Sequence, residues 1–449
     1  MKFLAFAAAW PWFAGIPVMK IPFHLALAAI LTLVAVAEDW PHFLGPSRNA
    51  VSGETGLVRS FPDGGPPVVW EKELEVGFGG CAVVGDEVFV VDRVRSESDL
   101  LLCLDAATGK EKWRFENPAE GEPPFPGSRS VPTVEEGAVY FINAFGRVFR
   151  IDRKTHKAAW DVKLDERYDG ATPKWGWAQP ALVVGDVLVV TPFGEKVGTV
   201  GLDKMTGEER WKSGPIGDSH SAPTVLEIGG EKQVVIVSVT DQDAKAGLVT
   251  SYRPADGTVL WQTDLYYNKI PIPVVTQVGK DRIFVTGGYD CGSKMLGIRR
   301  SDDAYELTEL WSAGKGSQIH PAFVIDDHLY FLANENSNHK VKSRRQTGGL
   351  SCWTLDGEEL WNTGDEPFMG RGGMIHADGM LIIQDGESGV LRLVYPSPEG
   401  FRLLAEANVF GSDLRKRFDL KYWTPPALSD GRLYLRGQDR LLCVDLRTK

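Results

Sequence analysis

Tryptophan sets the frame of this chain. Trp70, Trp113, Trp160, Trp211, Trp261, Trp311 and Trp361 recur at spacings of 43, 47, 51, 50, 50 and 50 residues. A period this long, repeated this often, leaves few architectures open: solenoids, propellers or tandem arrays. Most of these Trp follow one short pattern: an apolar run, a tight turn and a second run. Examples are "LDAATGKEKW" (104–113), "IDRKTHKAAW" (151–160), "LDKMTGEERW" (202–211), "YRPADGTVLW" (252–261) and "TLDGEELW" (354–361). The Asp side chain can bond the backbone two residues on, and the Gly supplies the positive-φ position that closes the hairpin.

A second hairpin precedes each of these units, from "CAVVGDEVFVV" (81–91) through "PALVVGDVLVV" (180–190) to "PALSDGRLYLR" (426–436), eight in all. Each unit therefore reads as four antiparallel strands, A to D, with Trp on D. Such a unit cannot bury both faces alone, so neighbours stack and the ring closes. The expected fold is all-β: an eight-bladed propeller over residues 66–449. The last unit has its A–B hairpin at 426–436 and strand C at 440–446, but the chain ends before a strand D. Residues 66–74, "PPVVWEKEL", are a strand D with Trp70 and no strands before it. The two ends are expected to complete one blade, which leaves few sheet edges exposed.

The fifty-residue repeat with D-x-x-T-G-x-x-x-W resembles the repeat of pyrroloquinoline quinone (PQQ) enzymes and of the non-enzymatic propellers related to BamB, an outer-membrane assembly lipoprotein. The segment "DWPHFLGPSRNAVSGETGL" (39–57) resembles the W-P-x-x-x-G-P start of a subset of exported PQQ-like propellers. The resemblance covers residues 39–449 and speaks to fold, because propellers host many unrelated activities. In it the recurrent Trp are side chains that pack between blades.

The N-terminus reads as a targeting segment. "MKIPFHLALAAILTLVAVAED" (19–39) carries Lys20, an apolar run and small residues at Ala35 and Ala37, the pattern a signal peptidase cuts after. Residues 1–37 are expected to be a signal peptide, with Met19 as the candidate true start and 38–65 as a lead-in. An uncleaved segment would instead anchor the chain to a membrane. No Cys stands near Ala37 to suggest a lipid anchor. Without residues 1–37, 47 basic residues face 60 acidic ones, net −13, which argues against nucleic acid as a partner. The five Cys (81, 103, 291, 352 and 443) form no C-x-x-C, which excludes c-type haem attachment and gives no sign of a Cys-rich zinc site. The reading is a periplasmic or secreted monomer with no metal site.

Strand parity places the D–A and B–C loops on one face of the ring. These loops are the long and varied ones, where function concentrates. Aligning the A strands at Pro132, Pro180, Pro223, Pro273, Pro321 and Pro426 puts Arg129, Trp177, His220, Ile270, Gln318 and Trp423 three residues upstream. Gln179 and His320 stand beside them, and Arg371 precedes Gly372, which takes the Pro place in blade seven. The candidate ligand-binding set is Arg129, Trp177, Gln179, His220, Gln318, His320, Arg371 and Trp423. Flat faces for stacking and donors for an anion or hydroxyl make this a binding pattern. The bland alternative is that each residue plugs the funnel and bonds backbone groups. Two basic loops, with Lys340, Lys342, Arg344 and Arg345 in one and Arg415, Lys416 and Arg417 in the other, are expected to form a basic sector on the same face.

No G-x-S-x-G or H-E-x-x-H is present, and no spacing pairs two carboxylates, so no catalytic residue is assigned. The first reading is a binding or scaffolding module of the cell envelope whose funnel face takes an envelope protein or an anionic glycan. Two others stand beside it. One is a PQQ-dependent dehydrogenase with calcium, although the adjacent Cys pair of the eight-bladed PQQ alcohol dehydrogenases is lacking. The other is a module for cell-surface glycan recognition or processing.

Overall fold

The computed structural model describes residues 38–448, apart from 124, 303, 335–347, 365 and 412–420. The expected signal segment and all seven residues of the expected basic sector lie outside the described residues.

Eight four-stranded antiparallel sheets follow one another along the chain, each in the order A-B-C-D. Blade one comprises Cys81–Val84, Glu87–Val94, Ser98–Asp105 and Glu111–Pro118. Strands B and C are almost wholly buried, because each blade is covered on both faces by its neighbours. Strand D alternates: Trp113 points in, while Lys112 and Arg114 face solvent. Period-two alternation thus marks the outer strand of each blade, and continuous apolar runs mark the middle ones. Side-chain hydroxyls on or just before the A strands tie neighbouring blades around the central channel. Thr133 Oγ1 donates to the Ala181 carbonyl (2.7 Å), Ser221 Oγ to Pro273 (3.0 Å) and Thr276 Oγ1 to Ala322 (3.1 Å). The one helix among the described residues is the single turn Leu164–Tyr168.

Most D-strand Trp fasten their blade to the next. Trp70, Trp211, Trp311 and Trp361 each donate Nε1–H at 2.9 Å to a carbonyl in the following blade: Ala106, Pro254, Leu355 and Ser397. The turn glycine has two roles here. Gly109 has φ 68°, and a β-carbon on it would stand 2.6 Å from the Trp70 ring. In blade two His156 holds the corresponding left-handed position and stacks on Trp113, 4.5 Å away and 9° from parallel. Every C–D pair carries a register shift at the Trp position or its equivalent. Blade seven, whose strand D is Arg402–Asn408, has no such Trp, and Ala405 stands opposite Leu393 in its place.

The ring closes as expected. Val68–Glu73 pairs antiparallel with Arg440–Asp445, with Trp70 opposite Cys443. Arg436, fully buried, locks the seam: its guanidinium donates to the Gly79 and Val91 carbonyls (2.9 and 2.8 Å) and pairs with Asp92 (3.3 Å).

The lead-in is a plug across the far end of the channel. Trp40 exchanges two backbone hydrogen bonds with Val83 in blade one, and Pro41 accepts one from Val134 in blade two. Leu44 and Ala50 pack among Ala222, Val274, Phe323 and Met374 from blades four to seven. Ser52 and Ala50 then bond His376, and Val58 bonds Leu446. Glu54, 2% exposed, accepts the backbone N–H groups of Glu38, Asp430 and Gly431. The W-P-x-x-x-G-P text has a local cause. Leu44 and Gly45 both take positive φ (59° and 75°), and a β-carbon on Gly45 would meet the Trp40 ring at 2.7 Å.

Candidate functional site: the channel mouth

Closing one end leaves a cul-de-sac that opens on the face of the D–A loops. The cavity is about 340 Å³, and all eight D–A loops contribute to its wall. Phe43 and Leu44 of the plug line it as well, and Tyr289 enters from the B–C loop of blade five. Of the eight expected residues, Arg129, His220, Gln318, His320, Arg371 and Trp423 converge on it.

Trp177 and Gln179 do not line it. Gly176 has φ 87° and reverses the chain, so the neighbouring tryptophans face opposite ways. Trp175 lines the cavity, while Trp177 is 1% exposed and packs into the core against Gly146 of blade two. Gln179, also buried, uses its amide to clip adjacent loops, with Nε2 donating to the Ser219 carbonyl. Both are structural residues of the wall's outer layer.

An aromatic wall runs along one side. Phe78 stacks on Trp423 (5.8 Å between centroids, 27°) and touches Phe125 (5.5 Å), which meets Trp175 edge-on (5.7 Å, 87°). Two guanidiniums lie on these rings but differ in their charge environment. Arg371 sits 4.4 Å over Trp423 and donates Nε–H to Glu387 (2.6 Å), which also accepts the Trp423 indole N–H (3.2 Å). Lys421 lies 3.7 Å from the other oxygen of Glu387, itself 2% exposed. Arg129 lies over Phe125 and Phe78 (5.0 and 5.5 Å) and donates only to the Gly127 and Pro126 carbonyls (2.8 and 3.1 Å). Among the described residues no carboxylate pairs with it. Burial without a counter-charge lowers its pKa to about 10, so it still carries its charge at neutral pH.

The opposite side is neutral. Burial, together with the positive field of Arg129 and Lys174, pushes His220 down to about 4. Burial likewise brings His320 to about 4. Its Nδ1 lies 2.9 Å from the Pro321 carbonyl, which can only accept, so the proton sits on Nδ1. Gln318 is 5% exposed, and its Oε1 has no hydrogen-bond partner.

Sequence reasoning missed Phe78, Phe125, Trp175, Tyr289 and Glu387. Phe78 and Glu387 lie in "VGFGG" (76–80) and "DGESG" (385–389), which resemble ordinary turns. The alignment on Pro could have reached Trp175, two residues from Trp177, but it held no information on which way each side chain turns.

Residues 54–214 match the family described as outer membrane protein assembly factor BamB. Over that stretch the chain is similar to the BamB-like PQQ repeat. No curated protein matches its sequence. Among solved structures, the propeller is similar to BamB from Moraxella catarrhalis (14% identity, 85% of this chain and 99% of that one, TM-score 0.56). It is also similar to a europium-containing methanol dehydrogenase (14%, 89% of each chain, TM-score 0.60). A third likeness is to the quinohemoprotein alcohol dehydrogenase of Comamonas testosteroni (13%, 92% and 81%, TM-score 0.57). Identities this low establish the shared fold of the PQQ-repeat propeller and nothing of its chemistry.

Proposed function

We propose that this PQQ-repeat propeller is a binding or scaffolding module of the cell envelope, a periplasmic or secreted monomer that recognises its partner through the channel mouth. The observation that carries the reading is the cul-de-sac itself: eight loops converge on a cavity closed at one end, with an aromatic wall and a guanidinium that no carboxylate among the described residues neutralises. Its described lining contains no Asp, Glu, Cys, Ser, Thr or Lys, so acid–base or nucleophilic chemistry would have to come from His or Tyr alone. The export pattern of residues 19–37 and the family match over 54–214 support the envelope setting.

The donor set does not fit a calcium-bound quinone. Calcium takes six to eight oxygen ligands, carboxylates foremost. Among the described residues no carboxylate lines the cavity, and no group of three His, Cys, Asp or Glu could hold a metal ion. The nearby Glu387 is already held by Arg371, Trp423 and Lys421.

Site-specific photo-cross-linking in the native cells tests the reading. A cross-linking residue at Trp175 or Tyr289 is expected to trap a discrete partner, and one at Leu310 or Leu360, exposed on outer strands, is not. Adducts confined to the outer strands would overturn the assignment of the mouth.

A further inference from the structure

We propose that the mouth takes a ligand with a compact, ring-bearing apolar body and a single carboxylate, and that Arg129 seats the carboxylate. This rests on the reading of the mouth as the binding site and goes beyond it by naming the chemistry bound.

The argument begins with charge. A guanidinium has five N–H donors in a rigid fork, and Arg129 gives two bonds to backbone carbonyls. Its other donors face no carboxylate among the described residues. This half-buried cation, flanked by Phe78 and Phe125, has lost part of its water without gaining a carboxylate among the described residues, and an anionic ligand supplies one. The second guanidinium of the wall does not double this site. Glu387 already accepts from Arg371 and the Trp423 indole and faces Lys421, so this guanidinium has its carboxylate within the protein. His220 and His320 are neutral at pH 7 and add no positive charge. The mouth is therefore built for one negative group, placed on the side of blades one and two.

The rest of the ligand is set by what the walls can satisfy. Phe78, Phe125, Trp175 and Trp423 offer ring faces and edges, while Leu44 and Ile272 are aliphatic. Such surfaces favour an aromatic or similarly flat apolar body. A body rich in hydroxyls would leave most of them unpaired on entry, a loss that a few polar groups around the rim (Tyr289, Gln318, His220) cannot recover. This disfavours an acidic sugar, whose ring carries several hydroxyls besides the carboxylate. Two sources share the favoured chemistry: a free aryl carboxylic acid, and the carboxy-terminal end of a polypeptide that finishes in an aromatic residue.

The test is calorimetric titration of the full ring (residues 38–449) at low ionic strength. The probes are cinnamate, N-acetylphenylalanine, the amide of each, and trigalacturonate. At least one acid is expected to bind about tenfold or more tighter than its amide, as a charge-assisted contact implies. The Arg129→Gln variant is expected to abolish that preference, and Arg129→Lys, which keeps the charge but not the fork, to retain part of it. An unchanged melting temperature shows that each variant is folded. Cinnamate ahead of N-acetylphenylalanine assigns the free acid, and the reverse order assigns the peptide end. Equal binding of acid and amide, tighter binding of trigalacturonate, an acid preference that survives Arg129→Gln, or no binding of any probe would each overturn the proposal. Binding of trigalacturonate at the mouth would leave the site assignment intact, whereas cross-links confined to the outer strands would remove it.

Discussion

The two ends of the central channel are built on opposite principles. The far end is closed by one continuous segment, residues 38–58, held largely through its backbone to blades one, two, seven and eight. Glu54, the polar side chain at its centre, is spent on three backbone N–H groups. The mouth is assembled from eight separate loops whose side chains converge on the cavity, and Arg129 has donors that meet no carboxylate among the described residues. Backbone bonding and the buried Trp40, Leu44 and Leu57 make a seal whose side chains serve packing. Convergent side chains make a surface whose chemistry changes with single substitutions. Substitutions at the closed end are therefore expected to move stability, and those at the mouth to move recognition.

The largest expected effect joins the plug to the seam beside it. A chain beginning at residue 75 loses both the plug and the strand that completes blade eight, and should show no cooperative melt by circular dichroism. One beginning at residue 66 keeps the strand and loses only the plug. It should still fold, but with stability lower by on the order of 5 kcal/mol, because Trp40, Leu44 and Leu57 lose their burial. Equal stability of the full ring and the 66–449 chain would erase the distinction between the ends.

Trp70→Ala should cost roughly 3–5 kcal/mol, through loss of a buried ring and of its bond to Ala106 across the seam. Trp175→Ala at the mouth removes a ring of similar size that is only half-buried, and should cost less than half as much. Chemical denaturation of the two variants side by side measures the contrast.

Acidification acts on both ends. His42 in the plug and His220 and His320 at the mouth are held neutral by burial, at about 3, 4 and 4 against an ordinary value of 6.5. Below 6.5 the unfolded chain takes up protons that the folded one refuses. Their contribution is therefore complete above about 6.5 and is lost progressively as the pH falls toward 4. Melting temperature against pH should show this fall, and replacing His220 and His320 with Gln should flatten part of it.

The smallest effect belongs to Arg129→Gln. Stability should change by about 1 kcal/mol or less, since two backbone hydrogen bonds and the ring contacts are lost. Removing a nearby positive charge should raise the His220 pKa, which NMR titration of its ring would register. An unmoved His220 would mean that the two groups do not share a field.

Much of the fold was legible from repetition. Seven Trp at near-constant spacing, eight hairpins and a strand at each end that lacked partners were enough to infer the blade count and the closure between residues 66–74 and 440–446. A repeat announces itself because seven of the eight blades solve the packing problem with a Trp on strand D. The mouth was only partly legible, since its residues stand in loops that share no period. Position relative to the A strand brought six of eight candidates to the cavity, because the strand fixes where a loop enters the channel. It could not say that Gly176 would turn Trp175 outward and Trp177 inward.

Local sequence alone determined the strands, the turns and the Trp positions, because hairpin chemistry and period-two alternation act over a few residues. Only the tertiary structure decided that the lead-in plugs the channel, that Glu387 pairs with Arg371 and that Arg129 meets no carboxylate among the described residues. Those outcomes depend on which distant loops meet around the ring, and no local pattern encodes the distance between charges brought together from different blades.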